Sequence, residues 1–311
     1  MSASVETICV DIGNSGLRCM RLAAAAQSPS DRGGTAVPWT GTILRIDWPP
    51  PDRDSAGSPA AALIPDSPRT DDLQTSQSSS GLADLIIGAA LENWLVASTG
   101  ALATNGGRRW IVSSVQRDTE RHFRRCVDQA GGGEYRLLSR ADLDLEVDVD
   151  APDRVGLDRL LAAVAALEHS PAGPIIVIQA GSAITVDWVD APRRFCGGAI
   201  MPGVPMMLRL LSRAADMLPE VAAEELLELP PLPGHNTAAA MSAGVSSAVV
   251  GGVQHLVERY RSQFGAAVPV VLSGGDGPRL APHLTPPLFT VDQLVLRGLA
   301  IYARASNQSR G

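Results

Sequence analysis

The chain carries no surplus of positive charge. Its 26 Lys and Arg are outnumbered by 33 Asp and Glu, for a formal net charge of −7. A surface that neutralises a phosphate backbone needs the opposite balance, so general nucleic-acid binding is not expected. Small anions remain admissible, because backbone N–H groups can hold them. No apolar run of about 20 residues stands out, so no membrane span is expected. The beginning, MSASVETICVDIG, lacks a basic segment followed by an apolar one and a cleavage site, so no secretory leader is expected. Cysteine is sparse. The four residues, at 9, 19, 126 and 196, form neither a C-x-x-C pair nor a dense framework. A reduced, cytoplasmic setting follows. The five His are dispersed and suggest no zinc site.

What is present is a chain of 311 residues, 45% hydrophobic, long enough for two domains with sizeable cores. Thr7 to Val10 and Leu17 to Leu22 are β-branched and apolar, and Asp11, Gly13, Asn14 and Gly16 between them have hairpin composition. The pattern then dissolves. Residues 24–80 are rich in Ala, Ser, Pro, Gly and Asp, which predicts a mobile insertion, with Gly41 to Ile46 as a candidate third strand. Order is expected again from a helix over 82–97 and a strand in RWIVSSV. VGLDRLLAAVAALEH is the clearest helix, with Leu160, Leu161, Val164 and Leu167 on one face and Pro and Gly at entry and exit. Two strands over 175–189, a strand in FCGGAIMPG, helices over 205–217 and 237–263, a strand from Val268 to Ser273 and a last helix over 291–304 complete the expectation.

ICVDIGNSGLRCMRL and IVIQAGSAITVDWV share one design: an apolar strand, a polar residue, x-Gly, a small polar residue and a returning strand. Asp11 aligns with Gln179 and Gly13 with Gly181. A unit repeated at the start of each half predicts two similar domains, 1–157 and 158–311. The first loop is open to two readings. It is a plain hairpin turn, or its glycines and successive N–H groups cradle a phosphate while Asp11 holds Mg²⁺ directly or through water. G-x-G-x-x-G and G-x-x-x-x-G-K-[ST] are absent here, and a strand rather than a helix follows. VVLSGGDG, a strand ending in Gly-Gly, would let adenine or ribose lie against the backbone.

Asp158, in GLDR, precedes the best helix. It is either a capping residue or a general base for a substrate hydroxyl. Phosphoryl transfer needs such a base close to the nucleophile, with most of the catalysis coming from positioning and charge neutralisation. Arg159 has the planar fork that suits a carboxylate.

In order along the chain, DIGNS, VGLDR, AGSAITVD, GGAIMPG, GHNT and SGGD resemble type III pantothenate kinase. The resemblance spans nearly everything outside 24–80. It implies an α/β fold of two ribonuclease-H-like (actin-like ATPase) domains facing across a cleft, and ATP-dependent phosphorylation of pantothenate with Mg²⁺. Asp11, Ile12, Gly13, Asn14, Ser15, Gly16, Leu17 and Arg18 match the first ATP loop. Ser182 matches an ATP-contacting position. Gly156, Leu157, Asp158 and Arg159 match the pantothenate segment, with Asp158 as proton acceptor, and Thr237 matches a further pantothenate contact. The family is dimeric, and that Thr reaches substrate in the neighbouring subunit. A monovalent cation, K⁺ or NH₄⁺, is implied as well.

Three positions depart from the family. Gln179 stands where Asp usually binds the monovalent cation. His235 stands where Lys is common. A Tyr often found shortly before G-x-D-R has no counterpart in Val147 to Asp150. The alternatives to a pantothenate kinase are a non-catalytic nucleotide-binding regulator of the same fold and a kinase for another small hydroxy acid.

Overall fold

A computed structural model describes residues 5–22, 39–47, 75–99, 107–222 and 229–308. The chain forms two compact units. One comprises Met1–Leu143, Gly156–Asp158 and Val295–Gly311, the other Asp144–Val155 and Arg159–Leu294.

The first unit is built on a five-stranded sheet in the order β3-β2-β1-β4-β5: β1 (Glu6–Gly13), β2 (Gly16–Leu22), β3 (Trp39–Asp47), β4 (Arg108–Ser114) and β5 (Glu134–Leu137). The first three form an antiparallel meander, and β4 and β5 add in parallel beside β1. Its core joins Ile8, Val10 and Ile12 of β1 to Trp110 and Val112 of β4. Ile87, Leu91 and Leu95 of helix α1 (Thr75–Thr99) and Phe123 and Cys126 of helix α2 (Arg117–Gln129) close over them. β1 is central and buried on both faces from Thr7 to Ile12, which carries Asp11 inside with its apolar neighbours.

The second unit repeats the plan. β7 (Ile175–Ala180), β8 (Ala183–Val189) and β9 (Arg194–Pro202) form the meander, and β10 (Val270–Ser273) and β11 (Leu288–Thr290) add in parallel beside β7. The sheet order is β11-β10-β7-β8-β9-β6, the short β6 (Glu146–Val147) lying parallel outside β9. Apart from β6 the two sheets share one strand order, in keeping with the expectation of two ribonuclease-H-like domains. Helix α3 (Leu157–Ala166) buries Leu160 and Leu161 of the expected stripe, but Val164 is only partly buried and Leu167 is buried just past the helix end. Ala162, Ala163, Ala165 and Ala166 are buried too, so the helix is enclosed on more than one face. Helices α4 (Val204–Ala214) and α5 (Thr237–Phe264) follow the meander, and the single turn α6 (Gly277–Leu280) follows β10. The last helix, α7 (Leu294–Gln308), belongs to the first unit from Val295 onwards, although it ends the second half of the sequence.

Several expectations change. Within the stretch 24–80 the candidate third strand, Gly41 to Ile46, is present as β3, but residues 75–80 already belong to α1; 23–38 and 48–74 lie outside the described residues. Helix α2 was not anticipated, because RDTERHFRRCVDQ is mostly charged. Its buried Thr119, His122, Phe123, Cys126 and Val127 nonetheless make a regular stripe. The expectation of no apolar run meets α5, which is long and apolar enough by composition to cross a membrane. Half of its most apolar window is buried within the fold, where Val245, Val249, Val253 and Val257 join the core of the second unit. All four cysteines are free, and three are buried.

Candidate active site

β1 and β2 are joined by the two residues Asn14 and Ser15, with Gly13 opposite Gly16. A Cβ on Gly16 would come within 2.4 Å of the Ile46 carbonyl oxygen, so β3 itself demands glycine there. Gly13 has no such constraint, since a Cβ would meet only the Gly16 oxygen at 3.6 Å. The hairpin accounts for one glycine, and the other leaves bare backbone at the end of the central strand. Asn14 Oδ1 accepts a hydrogen bond from Gln116 Nε2 at 3.3 Å. Gln116 is the N-cap residue of α2, so the loop is tied to the start of that helix.

Asp11 lies at the inner end of this loop, 7% exposed. Burial lifts its pKa from 3.8 to about 7; the charge of Arg18 opposes the rise and that of Asp158 adds to it. Asp11 and Arg18 are direct cross-strand partners, which explains the first charge effect. Arg18 Nε is buried with no hydrogen-bond partner among the described residues. On the other side Asp11 pairs in register with Ser113 of β4, whose buried hydroxyl also has none. Burial first, and the Asp158 charge in smaller part, disfavour the charged form of Asp11, and a bound cation would favour it.

α3 begins at Leu157, which puts Asp158 inside the first turn rather than at the N-cap. Its carboxylate folds back over Gly156. A Cβ there would come within 2.4 Å of Asp158 Oδ1, so glycine at 156 makes room for the acid. A negative charge is favoured at this end of a helix. The structure thus brings Asp11 and Asp158 into one electrostatic neighbourhood of the first unit, although 147 positions separate them in the sequence (158 − 11).

In the second unit Gln179 is the last residue but one of β7, close to the place that Asp11 holds near the end of β1. It pairs with Thr185 across the hairpin and with Ser273 on β10. The buried Thr185 hydroxyl has no hydrogen-bond partner among the described residues. Ser182 lies in the connecting loop, and its carbonyl oxygen accepts from Gly203 N at 2.9 Å. In SGGD, Gly274 has φ +103° and a Cβ on it would meet the Ala180 backbone, so its role is to pack β10 against β7. Gly275 has nothing within 4 Å of a built Cβ and is open to a ligand. Asp276 is bound by Arg279 Nη1 at 2.6 Å, and burial raises its pKa.

Arg159 is held by a residue that sequence reasoning did not single out. Asp187, fully buried on β8, accepts from Arg159 Nε at 3.1 and 3.2 Å and from Nη2. The guanidinium carbon lies 5.4 Å from the ring centroid of Phe195. Thr237 is the first residue of α5 and is exposed, as is His235. Asn236 does the capping, its Oδ1 accepting from Ala239 N at 2.8 Å.

No group of three or more His, Cys, Asp or Glu suited to a metal exists among the described residues. Mg²⁺ does not need one. It binds through one or two carboxylates with phosphate oxygens and water filling the rest of its shell, and the buried carboxyl of Asp11 has the chemistry to be one of them.

Residues 79–259 match the family described as type III pantothenate kinase. A type III pantothenate kinase of Rhodopirellula baltica is 39% identical over 169 residues, 53% of this chain and 60% of that one. One of Rhodospirillum rubrum is 38% identical over 197 residues, covering 62% and 75%. One of Thermus thermophilus is 36% identical over 191 residues, covering 61% and 74%. The matched stretch thus spans between three-fifths and three-quarters of these relatives. Among solved structures, a protein described as a Baf family transcriptional activator from Campylobacter jejuni superposes with a TM-score of 0.51 at 18% identity, covering 97% of this chain and 99% of that one. At that identity the likeness concerns the fold.

Proposed function

The chain belongs to the type III pantothenate kinase family, and from that premise we propose that it transfers the γ-phosphoryl group of ATP to the primary hydroxyl of pantothenate, giving 4′-phosphopantothenate for coenzyme A synthesis. The observation that carries the proposal is a buried carboxyl at the end of the central strand, paired in register with Arg18. Asp11 is buried, its pKa lies near 7, and Asp158 contributes to that rise. A bound cation would favour the charged form of this acid, as Arg18 already does in part.

Asp11 is the proposed Mg²⁺ ligand, and the backbone from Ile12 to Leu17 with Arg18 is the proposed phosphate cradle. When bound, Mg²⁺ supplies neutralisation of the charge spread over the phosphate oxygens. Asp158 accepts the proton of the attacking hydroxyl. Gly156 and Leu157 shape the pantothenate side around it, and Ser182 contributes a hydroxyl on the nucleotide side. The monovalent-cation requirement expected of the family is weakened, because Gln179 offers a neutral amide oxygen.

The active unit is proposed to be a homodimer in which Thr237 serves the neighbouring subunit's substrate. Exposed apolar side chains on and after α4, Met206, Leu210 and Met217, supply a surface that a second copy would cover. The negative net charge favours neither nucleic acid nor an anionic membrane as partner, and the cytoplasm is the proposed compartment.

A non-catalytic, nucleotide-binding regulator of the same fold is the second reading, favoured by the single observation that the second hairpin has lost its carboxylate at Gln179. Incubation of the purified protein with ATP, Mg²⁺ and pantothenate, followed by mass spectrometry, separates the readings. Phosphopantothenate is the expected product. ADP release with a different hydroxy acid alone would redirect the substrate, and absence of nucleotide binding would end the kinase reading.

A further inference from the structure

Arg159 follows the proposed base directly in sequence, yet its anchorage lies on β8. Asp187 engages Nε with both carboxylate oxygens and Nη2 with one, which is the side-on, two-pronged geometry of a guanidinium and a carboxylate. Asp187 is wholly buried, whereas the Arg159 side chain keeps 14% of its surface. Phe195 lies against the guanidinium. Asp187 sits opposite Gly198 on β9, and a Cβ at Gly198 would stand 2.4 Å from its Oδ1. Glycine at that position clears the space that the carboxylate occupies. A planar fork fixed along its Nε side and against a ring keeps one orientation, so the direction of its far edge is fixed as well.

We infer that Asp187 is a positioning residue for Arg159, setting the direction in which the guanidinium meets the carboxylate of the substrate. The inference rests on the pantothenate reading and adds to it. Asp187 never touches substrate. It acts through Arg159, and its removal leaves the guanidinium charged but without a set direction.

The test is a double-mutant cycle read in steady-state kinetics: wild type, Asp187→Asn, Arg159→Met and the double variant, with KM for pantothenate, KM for ATP and kcat measured for each. Asp187→Asn is expected to raise KM for pantothenate about tenfold, the loss of one charge-assisted contact, with KM for ATP unchanged. On the Arg159→Met background the same substitution should add nothing, because the two act as one unit. Arg159→Lys is the second probe. It keeps the charge pair that folding needs but loses the planar fork, and the same selective rise in KM is expected. A purely structural Asp187 would move kcat and KM for ATP together with KM for pantothenate, in the Arg159→Met background too, and that pattern overturns the inference. An unchanged KM in Arg159→Lys overturns it as well. A wild type without any phosphopantothenate overturns the pantothenate reading itself, an outcome distinct from an active wild type indifferent to Asp187.

Discussion

Hairpin β1–β2 carries a buried carboxylate, Asp11, two residues before its glycine, and hairpin β7–β8 carries an amide, Gln179, at the matching point. The frames around them are alike. Each residue lies on an inner strand of its sheet, and each has a serine beside it on the parallel neighbour, Ser113 or Ser273. The cross-strand partners differ, Arg18 for Asp11 and Thr185 for Gln179. The return is also one residue shorter in the second copy, since alignment of Asp11 with Gln179 would place the partner at 186 rather than 185. A duplicated backbone thus supports two kinds of chemistry. Where the strand end carries an acid, burial drives its pKa to about 7, and the proposed cation would favour its charged form. Where it is neutral, there is no charge to desolvate, and the amide can donate an N–H to an oxygen directly.

The largest expected effect lies in the acid that pairs with the first copy. Asp158→Asn should lower kcat by about 10²-fold or more while ATP binding and the unfolding midpoint stay close to wild type, because the swap keeps size and removes only the base. Turnover and an ATP titration on the same preparation check both halves. Activity above about a tenth of wild type would remove base catalysis from Asp158.

The next effect concerns assembly. Asp158→Asn and Thr237→Val are each expected to be inactive as homodimers. Mixed and allowed to exchange subunits, they should partly regain turnover, since one site of each hybrid holds both intact residues. A monomer at working concentration contradicts the dimer, and so does lasting inactivity after exchange has been demonstrated by mass spectrometry.

Asp11 should also be visible in stability without Mg²⁺. Its folded-state pKa is raised from 3.8 to about 7, chiefly by burial, so the folded protein holds a proton that the unfolded chain has released between these values. Stability therefore falls as pH rises from about 4 to about 7, by on the order of 2–4 kcal/mol. Asp11→Asn should flatten that part of the profile. Urea midpoints at the two ends of the window, compared between wild type and variant, decide it, and parallel profiles would show that Asp11 is not discharged.

The smallest effect is expected at the second copy. Gln179→Asp should strengthen the response of activity to K⁺. It should also lower activity when monovalent cations are scarce, because an unneutralised carboxylate repels the phosphates of ATP.

Much of this frame was legible in the sequence because both central hairpins announce themselves twice, by apolar strands and by the x-Gly loop between them. Helix α3 was legible from the spacing of Leu160 and Leu161. Helix α2 was hidden by its charge, although the stripe from Thr119 to Val127 was there to be counted. β5 was hidden because none of its four residues is fully buried, so an edge strand gave no alternation. The membership of α7 in the first unit is a long-range contact that no local pattern encodes. At the site, Asp11 and Asp158 were found as residue types, but their shared electrostatics needed the fold. Asp187 was missed because an Asp inside a strand signals nothing until its partner Arg159 is seen.

The most direct measurement is the rate of phosphopantothenate formation from ATP, Mg²⁺ and pantothenate by the wild-type protein, with KCl replaced stepwise by choline chloride at constant ionic strength. The account predicts product throughout, with a weak dependence on K⁺. Steep K⁺ activation would show that the charge at residue 179 does not set cation dependence, and absence of product at every KCl concentration would contradict the kinase assignment.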